Sequence, residues 1–261
     1  MRLNDRVILV TGASSGIGLA ASRALAARGA RVVMAARSGP RLEQAAAGVP
    51  GAVPLVLDVT ADVDGALATL LARFERIDVV INNAGNGGQL GRLQQLPSDH
   101  ARRLFDVHVL GMERLVRAVL PIMLRQGHGR IVNVASTVGY VPMPGAAAYS
   151  AAKAAVIAFT QALRGELAGA PVELALYSPP HTQTEAGKAW PLDLPKQFSP
   201  QFAADALVRS LERDQLDVLA GGNRPLLWLQ RLWPALASRI MRGIGLRALA
   251  KLDAAASCAR G

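Results

Sequence analysis

An entirely apolar run, Val7-Ile8-Leu9-Val10, leads without a break into the turn Thr11-Gly12-Ala13-Ser14-Ser15-Gly16-Ile17-Gly18 and then into a helix-forming stretch from Leu19 to Arg28. Consecutive apolar residues bounded by polar ones make a strand buried on both faces, and such strands belong to parallel sheets covered by helices. Glycine lets the backbone bend sharply after the strand, and the free N–H groups of the next helix then point at an anion. The spacing is G-x-x-x-G-x-G, which is neither G-x-G-x-x-G nor a P-loop, because no lysine follows the last glycine. We read Gly12, Ser14, Ser15, Gly16, Ile17 and Gly18 as a cradle for dinucleotide phosphates; the bland alternative is a tight turn without a ligand.

The same alternation runs on through the chain. Arg31 to Arg37, Val53 to Val59, Ile77 to Ile81, Ile131 to Ser136, Val172 to Tyr177 and Asp217 to Ala220 read as strands, with helix-forming segments between most of them. About seven strands in this order predict an α/β fold: a single Rossmann-like, doubly wound parallel sheet with helices on both faces. We assign it residues 1–222 and assign residues 223–261 to a C-terminal helical extension. A long helix is expected from about Asp99 to Arg125, burying Leu104, Val107, Leu115, Val119 and Leu120 and kinked at Pro121.

Several strands end in residues suited to a ligand, as expected at the carboxyl edge of an open parallel sheet. Ala36 offers no carboxylate for a ribose, whereas Arg37 offers a planar fork for a 2′-phosphate, so the sequence favours NADP(H) over NAD(H). Asp58 has two roles open to it: accepting from an adenine amino group, or capping a helix that begins near Ala61. Asn82-Asn83-Ala84-Gly85 follows the fourth strand; its amides can bridge neighbouring strands, and Gly85 leaves bare backbone for a ribose. Ser136 ends the fifth strand with a hydroxyl. Tyr149 and Lys153 stand four residues apart on a predicted helix, so they share a face, and a cation beside a phenol lowers the phenol's pKa toward the working range. A glycine- and proline-rich loop, residues 138–148, allows Ser136, Tyr149 and Lys153 to converge.

These motifs, in this order and spacing from Val7 to about Thr184, resemble the short-chain dehydrogenase/reductase family. The resemblance implies hydride transfer between a nicotinamide and a ketone or secondary alcohol. It implies that Tyr149 exchanges a proton with the substrate oxygen, that Ser136 orients that oxygen, and that Lys153 tunes Tyr149 and holds the nicotinamide ribose. Asn83, Ala84, Gly85 and Thr184 would also contact the cofactor, and a homodimer or homotetramer is the implied assembly. Two departures stand out. His108 occupies the place of an Asn that supports a water and a proton path, and three outcomes are open: a preserved relay, a weakened one, or a satisfied core histidine. Pro180 removes a backbone donor from the segment Pro179-Pro180-His181-Thr182-Gln183-Thr184, whose P-P-x-T-x-T pattern is similar to that of 3-ketodihydrosphingosine reductases. The substrate class implied is an apolar carbonyl or alcohol, a lipid ketone among the candidates. His108 and Pro180 are also what would speak for a rival reading, a non-catalytic dinucleotide-binding or interaction protein on the same fold.

The formal net charge is +10, mostly from arginine, without the basic clusters interleaved with aromatics that nucleic-acid binding calls for. The single cysteine, Cys258, excludes an internal disulfide, and the four histidines lack metal-ligand spacing, so no metal site is expected. The N-terminus reads without a secretory leader and no apolar run reaches the about 20 residues that span a bilayer, which predicts a cytoplasmic protein. Glu185 to Ser199, with Trp190, Pro191 and Pro195, is the expected substrate lid. From Arg224 to Lys251, Trp and Leu alternate with Arg, and Pro234, Gly243 and Gly245 are expected to break the segment into short pieces. Such a segment either packs over the substrate mouth or a neighbouring subunit, or lies peripherally on the inner face of a membrane.

Overall fold

A computed structural model describes residues 1–188, 190–192, 194, 197–221 and 224–258. The expected domain boundary between Gly222 and Asn223, and Ala189, Asp193, Pro195 and Lys196 of the expected lid, lie outside the described residues. Seven parallel strands, β1 (Val7–Thr11), β2 (Arg31–Ala36), β3 (Val53–Val56), β4 (Val79–Asn82), β5 (Gly129–Val134), β6 (Val172–Ser178) and β7 (Asp217–Leu219), form one sheet in the order β3-β2-β1-β4-β5-β6-β7. The order reverses between β1 and β4, so their carboxyl ends open the crevice where ligands bind in sheets of this kind.

Strand residues alternate between two cores because successive side chains point to opposite faces. Ile8 and Val10 pack with α1 (Gly16–Ala26), α2 (Gly39–Ala47) and the later helix Pro200–Glu212. Val7 and Leu9 pack on the other side with α3 (Asp64–Phe74) and with the later helices Gly111–Gln126 and Ala147–Glu166. Both faces are therefore covered, and β1 and β2 are apolar except for Thr11 and Arg31 at their ends.

The long helix of the sequence reading is continuous but not uniform. It begins as α4 (His100–Phe105), widens into a π-helical turn over Asp106–Leu110, and continues as α5 (Gly111–Gln126) through Pro121. π-turns of this kind favour functional positions, and His108 sits in this one. Beyond β5 come a short helix α6 (Thr137–Tyr140) and α7 (Ala147–Glu166), which overlap the two ends of the segment 138–148 read as a loop. After β6 follow α8 (Glu185–Lys188) and α9 (Pro200–Glu212), whose N-cap Ser199 accepts from the Phe202 N–H at 3.1 Å.

The tail corrects the sequence reading. Rather than breaking at its glycines, it forms α10 (Arg224–Leu232) and one long helix, α11 (Pro234–Cys258), which runs through Gly243 and Gly245. A Cβ on Gly245 would lie 2.5 Å from the Pro144 carbonyl oxygen, so this glycine serves close helix packing rather than termination. Tertiary contact there outweighs the about 1 kcal/mol that a helical glycine costs. Ala237, Met241 and Ala248 of α11 join Leu90, Val141 and Trp190 in a third apolar cluster above the sheet.

Candidate functional site

Ser136, Tyr149 and Lys153, together with His108, line one cavity of about 330 Å³ at the carboxyl edge of the sheet. Ser136 follows β5 as the N-cap of α6, and Tyr149 and Lys153 lie on the first turns of α7. The loop between these helices closes the distance, and the Ser136 side chain reaches hydrogen-bonding range of the Tyr149 hydroxyl. The Tyr149 ring is held edge-on by two aromatic neighbours: His108 at 5.4 Å between centroids and Trp190 at 5.1 Å.

The electrostatics of the pair differ from the sequence expectation. Lys153 Nζ lies 5.8 Å from the Tyr149 ring centroid, but it donates a 2.7 Å hydrogen bond to the Val134 carbonyl. Burial pushes the phenol up to about 12, against the smaller lowering effect of Ser136, and burial also pushes Lys153 down to about 7. Desolvation disfavours both charged forms, and among the protein groups alone it outweighs the attraction of ammonium for phenolate. Tyr149 is thus a neutral phenol.

His108 is buried, and its Nε2 lies 2.7 Å from the Asn86 carbonyl oxygen. A carbonyl only accepts, so Nε2 carries the proton and Nδ1 is an acceptor. Nδ1 is buried without a hydrogen-bond partner among the described residues. Burial, helped by the charge of Lys153, pushes His108 down to about 3, so the ring stays neutral. Gly85 is explained by the same ring: a Cβ there would fall 2.2 Å from His108 Cε1. The space that the sequence reading gave to a ribose on that side of Gly85 is taken by imidazole, although Gly85 itself still lines the cavity.

The glycine turn forms the opposite end of the cavity, through Gly12, Ser15, Gly16 and Ile17. Gly12 and Gly16 hold φ values of +66° and +55°, a region that side chains strain to enter. A Cβ on Gly18 would lie 2.3 Å from the Gly12 carbonyl oxygen, so the turn is closed beneath by close backbone packing. Ser15, the N-cap of α1, makes no side-chain hydrogen bond to the helix, and the first turn carries no acid. Unsatisfied N–H groups beside bare glycine backbone fit a phosphate, so a dinucleotide suits the residues present.

Asn83 secures the switch point, its Nδ2 donating to the Thr11 carbonyl at 3.0 Å, while the Thr11 hydroxyl accepts from the Asn83 and Ala84 N–H groups at 3.0 and 2.9 Å. Thr11 is a residue that sequence reasoning missed. Thr184 reaches the glycine turn, its Cγ2 3.1 Å from where a Gly16 Cβ would stand, and its Oγ1 accepts from the Gly187 N–H at 3.0 Å. Ser14, Gly18, Arg37, Asp58 and Ala84 do not line the main cavity. Arg37 is exposed just past β2, and its charge reaches Asp58. Asp58 is held below the usual carboxylate range mainly by hydrogen bonds from the Thr60 N–H and hydroxyl, both to Oδ1. It caps that turn and no helix, since α3 starts at Asp64 rather than near Ala61.

The rest of the wall comes from the expected lid and from the tail, which takes the course over the substrate mouth that was one of its open outcomes. Trp190, Leu226, Met241 and Ile244 bring the lid and tail to the cavity. The lid is tied at its base by paired backbone hydrogen bonds, Gln183 N–H to Phe198 at 2.8 Å and Phe198 N–H to His181 at 3.1 Å. Among the described residues no cluster of His, Cys, Asp or Glu could hold a metal ion.

Comparison with known proteins agrees with this fold. The short chain dehydrogenase family profile matches residues 6–194. The chain is 38% identical over 201 residues to the 2-(R)-hydroxypropyl-CoM dehydrogenase of Xanthobacter autotrophicus, an alignment covering 74% of this chain and 80% of that one. A short chain dehydrogenase from Burkholderia cenocepacia in complex with NADP superposes with a TM-score of 0.80 at 29% identity, over 92% of this chain and 98% of that one. The 3-ketoacyl-(acyl-carrier-protein) reductase of Brucella melitensis complexed with NADH gives 0.78 at 28% identity, over 85% and 99%. With the seven-stranded sheet, the glycine turn and the Ser136, Tyr149 and Lys153 cluster in place, the chain belongs to the short chain dehydrogenase family and is an oxidoreductase of that type.

Proposed function

We propose that this protein is an NADP(H)-dependent enzyme that interconverts a ketone and a secondary alcohol on an apolar substrate, with Tyr149 as the proton donor and acceptor. The observation that carries the reading is the convergence of Ser136, Tyr149 and Lys153 on the cavity that also contains the glycine turn. When bound, the reduced nicotinamide supplies the hydride to the carbonyl carbon. Tyr149 then gives its proton to the carbonyl oxygen, and the neutral state that burial imposes on the phenol suits that direction. Ser136 orients the oxygen through its hydroxyl. Lys153, buried and held by the Val134 carbonyl, returns a proton to Tyr149 and presents its ammonium to the ribose hydroxyls.

His108 is a positioning residue in this reading. Its ring abuts Tyr149, and the residue lines a second cavity of about 10 Å³ together with Thr11, Asn82 and Lys153. That volume accommodates a single water with several polar partners, which supports a preserved proton path from Lys153. Thr184 and Asn83 steady the two sides of the glycine turn. Membership of the family supports a homodimer or homotetramer.

Arg37 is the basis for NADP(H): it is exposed just past β2, whose last residue, Ala36, presents no carboxylate of its own to a 2′-phosphate. Solved relatives bind either cofactor, one complexed with NADH and one with NADP, so the preference rests on this chain's own residues. The apolar substrate class rests on Val138, Met143, Trp190, Leu226, Met241 and Ile244 in the cavity wall. Titration of NADPH and NADH by fluorescence, followed by turnover with a panel of apolar ketones, tests the reading. We expect Arg37→Ala to weaken NADPH at least about tenfold, a loss typical of a charge-assisted phosphate contact, and to leave NADH nearly unchanged. Equal weakening of both cofactors, or a wild type that prefers NADH, contradicts it.

A further inference from the structure

The helices that wall the cavity carry a second surface on their outer side. Of the eleven large hydrophobic residues exposed in the described chain, six lie here: Trp228, Leu232, Trp233, Leu236, Ile240 and Leu246. Trp228, Leu232 and Trp233 are each more than 60% exposed, so the larger part of each faces solvent. Single exposed apolar residues are ordinary on a protein surface; this many on two consecutive helices and the residue that joins them are not.

Charge accompanies them. Arg231, Arg239, Arg242 and Arg247 are exposed and make no ion pair among the described residues. Asp253 is the one acid between Arg224 and Cys258, and it is already paired with Arg92 at 3.0 Å. Along α11 the two faces separate cleanly by helical period. Ala237, Met241, Gly245 and Ala248 turn inward, while Leu236, Arg239, Ile240 and Arg247 point the other way. Neither helix is long and apolar enough to cross a membrane.

An apolar strip studded with unpaired arginines and two exposed indoles matches an anionic bilayer surface: the rings and aliphatic chains enter the headgroup boundary while the guanidinium groups meet phosphates. We propose that the outer face of α10 and α11 docks on an anionic membrane, and that the cavity these helices wall from within takes its substrate from that membrane. The docking stands on the surface alone. The origin of the substrate rests additionally on the apolar-ketone reading above.

The test uses the full chain with phosphatidylcholine vesicles, with and without phosphatidylglycerol as about a third of the lipid. Sedimentation with the anionic vesicles, little with the neutral ones, and a blue shift of tryptophan emission are expected. The double variant Arg239→Glu and Arg247→Glu should lower partitioning by roughly 30-fold, the effect of losing two arginines near such a surface, before counting the added repulsion. Trp228→Ser with Trp233→Ser should weaken it on both vesicle types. These positions are exposed, so circular dichroism and turnover of a short water-soluble ketone should match wild type, while turnover of a long-chain ketone carried in the vesicles falls. Absence of vesicle binding, or binding indifferent to the arginines, overturns the proposal. So does an oligomer that the tryptophan variants dissociate in the absence of lipid, because the face then belongs to a second copy of the chain. Binding to vesicles by a protein that oxidises no NADPH would uphold the docking and reject the enzymatic reading, so the two fail separately.

Discussion

His108 shows how burial decides what a titratable residue can do. Its Nε2 is committed to the Asn86 carbonyl and its ring is desolvated beside Lys153, so the imidazole stays neutral down to about pH 3. The folded-state pKa lies below the usual 6.5, and between the two values the unfolded chain binds a proton that the folded chain refuses. Stability therefore rises with pH across that window and is lost as pH falls below 6.5. We predict that His108→Asn, a neutral residue that can still hydrogen-bond, removes this dependence. Between pH 7 and pH 4.5 the variant should gain on the order of 2 kcal/mol relative to wild type, read as the difference in urea-unfolding free energy at the two pH values. Parallel losses in the two proteins would mean that His108 is protonated in the fold. The sequence left three outcomes open for His108, a core histidine among them; the carbonyl of Asn86 and the depth of burial that decide its charge come from packing.

At the scale of elements, the β1, glycine turn and α1 unit was legible almost completely, because its chemistry is local: an apolar strand, residues free to take positive φ, and a helix start. Gly18 makes the point, being helical and buried with a Gly12 carbonyl where its Cβ would go. We expect Gly18→Ala to force the turn open, at about 1–3 kcal/mol of stability, and to weaken cofactor binding tenfold or more. Gly65→Ala in α3 is the control, since nothing lies within 4 Å of its Cβ position, and it should stabilise slightly. Unchanged cofactor affinity in Gly18→Ala would show that the turn does not hold the dinucleotide. Tyr149 and Lys153 were legible for a similar reason, since one helix fixes their spacing. Their pKa values were not, because spacing reports a neighbour and says nothing of desolvation. In α11 the local rule failed outright: two glycines read as breaks, yet packing of Gly245 against Pro144 keeps the helix whole.

The whole molecule brings three distant segments around one cavity: the glycine turn from the first strand, the catalytic candidates on α6 and α7, and the lid and tail from beyond residue 180. The sheet order places the first two, as alternating strands and helices predict. The third depends on long-range packing: composition marked a lid around Trp190 and a tail that could cover the substrate mouth, but the contact of Trp190 with Tyr149 and the places of Met241 and Ile244 at the wall come from packing alone. The central claim is that this assembled site reduces a ketone with Tyr149 as its acid. The most direct measurement is NADPH oxidation by saturating apolar ketone, comparing wild type with Tyr149→Phe, alongside NADPH affinity in each. The account predicts a fall in kcat of at least about 100-fold with affinity nearly unchanged, since only the proton donor is lost. Equal turnover in the two proteins would contradict it.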